Sequence, residues 1–174
     1  RSGVEIFDRA GHQVDRPVVK SVASSLLVDK GNHRHFMAKE IHEQPEVISH
    51  TLANYIDMAS GKVRFPDLGV DLAKISRVTI SACGTAYYAG LVGKYWIEQL
   101  ARVPVEIDVA SEMRYREAPL PDGGLAVFVS QSGETADTLA TLRYCKAGGQ
   151  RIASIVNVHT STIARESDAA LPTL

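Results

Sequence analysis

The stretch Leu125–Leu139, LAVFVSQSGETADTL, decides the fold. Its beginning, Leu125–Val129, is apolar, rich in β-branched and aromatic residues and too short for a helix, which predicts a buried parallel strand. Small and polar residues follow in Ser130–Glu134, and apolar residues then recur at helical spacing at Leu139 and Leu142. The stretch therefore predicts a strand, a hydroxyl-rich loop and a helix in succession.

A loop of this kind turns backbone N–H groups and hydroxyls towards one point, and the amino end of the helix favours an anion there. We interpret Ser130, Gln131, Ser132 and Thr135 as a phosphate cradle. The alternative is that Ser132 or Thr135 only caps the helix and that Glu134 only complements the helix dipole. From the loop alone, both interpretations stay open.

The composition is that of an ordinary globular protein, with 45% hydrophobic and 22% charged residues. The formal net charge is -1 and Lys and Arg form no cluster, so neither nucleic acid nor a membrane surface is an expected partner. No apolar run is long enough to span a bilayer, and no signal peptide is visible. Cys83 and Cys145 lack the spacing of a metal or redox pair, and two thiols fit a reducing cytoplasm.

Strands and helices alternate from Arg77 onward. Further strands are predicted at Val78–Ala82, Val105–Val109 and Ile152–Val156. Helices are predicted between and after them, at Ala86–Leu100, from a cap at Ser111 to Arg116, from the loop after Leu125–Val129 to about Gly148, and at Ile163–Arg165. Such alternation predicts an α/β fold with a parallel sheet and right-handed crossovers.

The region before Arg77 has a different character. Val4–Phe7 and Gln13–Val19 predict a hairpin, and Ser21–His35 is predicted to be a linker. Two helices are predicted within His35–Tyr55, because Pro45 is not expected inside one long helix and suits the first turn of a second.

In an open α/β sheet, ligands bind beyond the carboxyl ends of the strands. Three loops with small or hydroxyl-bearing residues are predicted there: a first loop, Cys83–Thr85, a second loop, Ser130–Thr135, and a third loop, Asn157–Thr162. This pattern suits a phosphorylated sugar, which offers one anion and several hydroxyls. The glycine patterns of dinucleotide and nucleotide loops are absent. Cys83 suits a nucleophile or a small buried residue, and we prefer the second because nothing supplies a base.

Four motifs carry a resemblance to a known family: SACGT at Ser81–Thr85, DVASEMRYR at Asp108–Arg116, SQSGETADTL at Ser130–Leu139 and ARESD at Ala164–Asp168. Together they resemble the sugar-isomerase (SIS) portion of the glutamine:fructose-6-phosphate aminotransferase (isomerizing) family, the glucosamine-6-phosphate synthases. EIHEQP at Glu40–Pro45 is similar to that family's linker helix, so the resemblance covers essentially the whole chain. SQSGETADTL or the CGT turn alone would indicate only the wider SIS superfamily.

The resemblance implies a three-layer αβα sandwich with a parallel, flavodoxin-like sheet, preceded by a helical linker. It divides the chain into a remnant of an upstream glutaminase domain at 1–20, a linker with helices at 21–76, and a first SIS subdomain at 77–174, truncated at its carboxyl end. The chain begins with Arg1 rather than Met and stops at Leu174 within an apolar stretch, which fits a fragment.

Members of the family convert fructose 6-phosphate and glutamine into glucosamine 6-phosphate and glutamate, so the resemblance implies binding of fructose 6-phosphate or glucosamine 6-phosphate. It also implies a glutamine site in an absent domain, a cytoplasmic homodimer, and neither cofactor nor metal. No catalytic residue is assigned, because the family's catalytic groups are expected beyond Leu174, and the fragment alone should be inactive. The residues carried over by motif are Ser130, Gln131, Ser132 and Thr135 for the phosphate and Cys83, Gly84 and Thr85 for the sugar.

Two departures from the family pattern stand out: Ala86 replaces a frequent serine, and Asn157–Ser161 differs from a Gly-Ser pattern and stays unassigned. The alternatives are another SIS-family sugar-phosphate isomerase or deglycase, a sugar-phosphate-sensing regulatory domain, or a structural module. A regulator should carry an upstream helix-turn-helix, whereas residues 1–76 predict a hairpin and a helix broken by proline. A structural module would leave the three loops without a purpose.

Overall fold

The computed structural model describes residues 3–17, 29–69 and 71–174. Residues 1–43 and 44–174 form two compact units. In the first unit, Phe7 and Gln13 form an antiparallel bridge, and the N–H of Val14 donates to the carbonyl of Ile6 at 2.8 Å. This is the predicted hairpin, reduced to one bridge. Residues 18–19 of the predicted hairpin and 21–28 of the predicted linker lie outside the described residues.

Helix α1, Phe36–Tyr55, is one continuous helix that passes through Pro45, so the prediction of two helices is wrong. Proline removes one hydrogen bond of the helical ladder, but the remaining bonds carry the helix across it. The hydroxyl of Ser49 donates to the carbonyl of Pro45 at 2.8 Å. A short antiparallel pair follows, β1 at Ile56–Asp57 and β2 at Lys62–Val63.

The main sheet has five parallel strands, and the predicted strands are confirmed to within one residue. The spatial order is β4-β3-β5-β6-β7, so the first strand of the sheet lies between the second and the third. This is the predicted flavodoxin-like order. The bounds are β3 Val78–Ala82, β4 Val105–Val109, β5 Leu125–Ser130, β6 Arg151–Val156 and β7 Ala169–Pro172.

Four helices connect these strands: α2 Gly84–Leu100, α3 Ala110–Arg116, α4 Ala136–Ala147 and α5 Thr162–Glu166. The three-layer α/β class is confirmed. Helix α2 begins at Gly84 rather than Ala86, because Gly84 has a φ of 58° and turns the chain into the helix directly after the strand. The predicted cap Ser111 is wrong, since the N-cap residue of α3 is Val109.

Alternate strand residues face two cores. Val78, Ile80 and Val105 are buried on the α2 side of the sheet, whereas Phe128 and Ile152 are buried with residues of α3, α4 and α5 on the other side. Burying one such side chain contributes about 1.5–3 kcal/mol, so the two cores hold the sheet rigid beneath its loops. In the part of the chain that the structure describes, no helix has the length and apolarity to cross a membrane.

Candidate functional site

The neighbouring strands β3 and β5 send the chain in opposite directions. Strand β3 is followed by α2 and the edge strand β4, whereas β5 is followed by α4 and then β6 on the other side. Such a reversal opens a crevice at the carboxyl ends of the two strands. Because Ala82 pairs with Val129, the next residues, Cys83 and Ser130, lie side by side at this edge of the sheet.

The first loop forms one wall of this crevice. Gly84 needs its left-handed φ of 58°, although a Cβ there would meet no atom within 4 Å. Gly84 and Thr85 are exposed in the first turn of α2, and the N-cap residue Cys83 makes no side-chain cap bond. The first N–H groups of a helix have no partner within the helix, so this wall presents backbone donors.

The second loop is held by its own hydroxyls. Ser130 is buried, and its Oγ accepts from the N–H of Gly133 at 3.1 Å and lies 3.1 Å from Oγ1 of Thr135. The Oγ of Ser132 accepts from the N–H of Glu134 at 3.2 Å. These bonds fix the loop while leaving Ser132 exposed at its surface.

Capping does not explain the hydroxyls of this loop. Thr135 is the N-cap residue of α4 but makes no side-chain cap bond. The hydroxyl of Ser132 bonds the N–H of Glu134, which precedes the helix. Thr135 therefore occupies the N-cap position of α4 without a side-chain cap bond, and ligand binding by these hydroxyls stays a prediction.

Cys83 connects the two walls of the crevice. It is half-buried, and the hydroxyl of the buried Thr138, in the first turn of α4, lies 3.9 Å from its sulfur in donor geometry. A threonine hydroxyl is not a base, so this contact does not activate the thiol as a nucleophile. The arrangement agrees with a packing role for Cys83 beside the crevice.

The third loop bonds to the second loop through its backbone. Asn157–Ser161 is unassigned from the sequence, and this pairing was not predicted because it joins segments that are distant in the chain. Three N–H groups donate across: Asn157 to the carbonyl of Gln131 at 3.2 Å, Thr162 to Oε1 of Glu134 at 2.7 Å, and Ile163 to the carbonyl of Gly133 at 3.0 Å.

The carboxylate of Glu134 is bonded by the third loop, through the backbone N–H of Thr162. The hydrogen bond from the backbone N–H of Thr162 is the main cause that lowers the pKa of the Glu134 carboxyl, and nearby Arg165 lowers it further. The carboxylate therefore stays ionised at neutral pH. From the sequence, Glu134 is considered only as a complement to the helix dipole. Its position directly before Thr135 is the one feature of the sequence that could have indicated a role in the site.

The crevice is open and its donors are uncharged. Nearby cationic side chains have other partners: Arg114 bonds Asp137 at 3.0 Å, and Arg165 bonds the carbonyl of Thr160 and, at 3.1 Å, Oγ1 of Thr162. The described residues form no cluster of three or more metal-ligating side chains. Chemically, the crevice can hold an anion with hydroxyls and amides, and none of the predicted site residues is a general base.

One cavity of about 480 Å³ lies away from this crevice. It is lined by residues that precede or begin β5 and β6, including Gly124, Gln150 and Arg151, at the opposite ends of these strands. None of the predicted site residues lines this cavity.

The family model described as SIS domain matches residues 71–174. The chain belongs to the SIS domain family. The similarity to known proteins extends beyond the SIS domain to the amino end of the chain, because relatives match its whole length. The protein named Glutamine--fructose-6-phosphate aminotransferase [isomerizing] of Brucella abortus biovar 1 (strain 9-941) is 66% identical over 100% of the chain. The protein of the same name from Zymomonas mobilis subsp. mobilis (strain ATCC 31821 / ZM4 / CP4) is 60% identical over 99% of it.

The chain spans 29% and 28% of the lengths of these two relatives. A solved structure, the C-terminal domain of glucosamine-fructose-6-phosphate aminotransferase from Francisella tularensis, matches with a TM-score of 0.73 and 45% identity. The match covers 83% of this chain and 41% of that one. The resemblance to this aminotransferase family and the SIS fold are confirmed.

Proposed function

We propose that this chain is the sugar-phosphate-binding SIS subdomain of a glutamine-dependent aminotransferase that makes glucosamine 6-phosphate from fructose 6-phosphate for amino-sugar biosynthesis. The names of its relatives supply the reaction. The single observation that carries the proposal is the set of uncharged donors at the crevice between β3 and β5. That set matches the phosphate and hydroxyls of a hexose phosphate.

The phosphate would bind Ser130, Gln131, Ser132 and Thr135 at the amino end of α4, where backbone N–H groups and the helix dipole favour an anion. Ser132 already accepts from Glu134, so its own hydroxyl proton remains to be donated. The hydroxyls of Ser130 and Thr135 lie 3.1 Å apart and form one hydrogen bond, in which one of them donates its proton. The proton of the other hydroxyl remains free to be donated to the ligand. Hydrogen bonds from such groups to an ionised phosphate are charge-assisted.

The sugar would lie against the first loop, Cys83, Gly84 and Thr85, across the crevice from the phosphate. Its hydroxyls can be bonded by the exposed Thr85 and by the amides at the start of α2. We assign no catalytic residue to the chain, because the crevice offers binding groups and the reaction also needs a proton-transferring group and ammonia. Those groups belong to other parts of the whole protein, and no cofactor or metal is invoked.

The organisation of the whole protein follows the family. Residues 1–20 would end a glutaminase domain that binds glutamine, 21–76 would be the linker, and 77–174 would be the first SIS subdomain of a cytoplasmic homodimer. The open crevice supports this, as do three exposed aromatic residues of α2. Tyr88, Tyr95 and Trp96 are 65%, 68% and 63% exposed, a surface that suits packing against further protein.

The test is the double variant Ser132→Ala and Thr135→Ala in the whole protein. Each charge-assisted bond contributes roughly 1.5–3 kcal/mol, so the KM for fructose 6-phosphate should rise at least about tenfold. Ser49→Ala is the matched control, because its hydroxyl bonds only within α1. Affinity for fructose without phosphate should not change in any variant. A KM equal to that of the control would contradict the proposed phosphate site.

A further inference from the structure

We infer that Glu134 is a positioning residue of the sugar-phosphate site: held by the amide of Thr162, its carboxylate fixes the second loop on the third and thereby sets the affinity for the phosphate. The inference rests on the proposed function, because it concerns the same site.

The geometry gives Glu134 control over a proposed ligand. It directly precedes Thr135, and its N–H donates to the hydroxyl of Ser132 at 3.2 Å. Its side chain accepts from the N–H of Thr162 at 2.7 Å. Glu134 therefore connects the segment that carries the Ser132 and Thr135 hydroxyls to the third loop. Its side-chain bond adds to two backbone hydrogen bonds, from Asn157 to Gln131 and from Ile163 to Gly133.

Electrostatics explain why the carboxylate must be held. An unrestrained negative charge next to Thr135 would be attracted to the same α4 amides that we assign to the phosphate, and it would repel the phosphate. The bond from Thr162 and the nearby Arg165 guanidinium give the charge a partner outside the crevice. Holding Glu134 therefore keeps the amino end of α4 available.

The amide of Thr162 can be removed by a substitution that the fold should accept. Thr162 is the first residue of α5, where proline fits because its missing N–H is not needed by the helix. The preceding Ser161 has φ -67° and ψ 161°, an extended conformation that suits a residue before proline. Thr162→Pro thus frees a charged Glu134, and Thr162→Ala is its control, since it keeps the N–H.

The experiment measures KM, kcat and fructose 6-phosphate affinity in the whole protein. Glu134→Ala should raise KM about tenfold with little change in kcat, since one hydrogen bond to a charged group is lost. Glu134→Gln keeps an acceptor and should lose less. Thr162→Pro should bind more weakly than Glu134→Ala, because the free charge remains. Thr162→Ala keeps the N–H and loses only the side-chain bond to Glu134, so it should bind more tightly than either variant. Glu46→Ala, at an exposed glutamate of α1, is the matched control.

A second readout does not depend on the ligand. In the ligand-free protein, Glu134→Ala should speed backbone hydrogen exchange in residues 157–163, and unchanged protection there would overturn the inference. The inference would also be overturned if the Glu134→Ala and Thr162→Pro proteins had the same KM for fructose 6-phosphate as the Glu46→Ala control. A wild-type protein that does not bind fructose 6-phosphate would instead overturn the proposed function. If Glu134→Ala does not fold, the contrast between Thr162→Pro and Thr162→Ala decides the inference.

Discussion

The backbone of Gly133 lies directly against the hydroxyl of Ser161. A Cβ on residue 133 would overlap Oγ and Cβ of Ser161, and the φ of Gly133 is 64°. Ser161 is itself buried and caps α5 by accepting from Ala164. The second and third loops therefore approach this closely only because residue 133 has no side chain.

Gly133→Ala should consequently lower the free energy of unfolding and weaken hexose phosphate binding. The left-handed backbone alone costs a residue with a side chain about 1 kcal/mol, and the overlap with Ser161 adds to it. Urea denaturation gives the stability, and a titration with fructose 6-phosphate gives the affinity. Gly93→Ala is the control: it lies in α2 with no atom within 4 Å of a Cβ, so it should stabilise by about 0.5–1 kcal/mol. Equal stability of both variants would disprove the close packing.

The two thiols should react very differently. Cys145 is fully buried, and burial raises the pKa of its thiol to about 12, so almost no reactive thiolate exists at neutral pH. Cys83 is half-buried beside the crevice. A thiol reagent should label Cys83 alone in the native protein and both cysteines in urea, and fructose 6-phosphate should slow the labelling of Cys83. Labelling of native Cys145 at a comparable rate would contradict this core, while labelling of Cys83 unaffected by the ligand would count against the first-loop assignment.

The stability supplied by Glu134 should depend on pH in a defined direction. Its pKa in the folded protein lies below the ordinary value of 4.5, chiefly because the backbone N–H of Thr162 donates to it. The ionised form is therefore favoured by folding, so its stabilisation is fully present above pH 4.5 and is lost as pH falls through the lower folded pKa. Urea midpoints of wild type and Glu134→Gln should differ at neutral pH and converge in acid. A difference that widens in acid would reverse the sign.

The chain by itself should make no glucosamine 6-phosphate. We propose that its crevice supplies only hydroxyls and amides for binding, and we assign none of its residues to proton transfer or to the release of ammonia. Incubation with fructose 6-phosphate and either glutamine or ammonia, followed by an amino-sugar assay, tests this. Any synthesis above a protein-free blank would mean that chemistry resides within these residues.

Strand β5 could be predicted because Leu125–Val129 is a short, continuous apolar run. Strand β4 could be predicted because apolar and charged residues alternate in Val105–Val109. The first and second loops could be located because loops after such strands share one edge of the sheet. Pro45 misled the prediction for α1. The cost of proline in a helix is local, and the residues on either side sustain the helix without the lost bond.

The roles of Glu134 and of the third loop could not be predicted, because they arise from contacts between segments far apart in the chain. A glutamate at the start of a helix ordinarily complements the dipole, and sequence alone does not reveal that Thr162 competes for it. Likewise, Gly133 is read as a turn residue from its neighbours. Its closeness to Ser161 appears only when β5 and β6 are paired.

The strand order also determines at which stage of folding the ligand-binding site can form. The chain leaves β3, runs out to the edge at β4, and must return past β3 before β5 can pair with it. Pairings between distant segments form slowly. A molecule in which β5 has not yet paired with β3 therefore does not have the first and second loops side by side. A sugar phosphate would therefore bind and stabilise only molecules in which the sheet has fully formed.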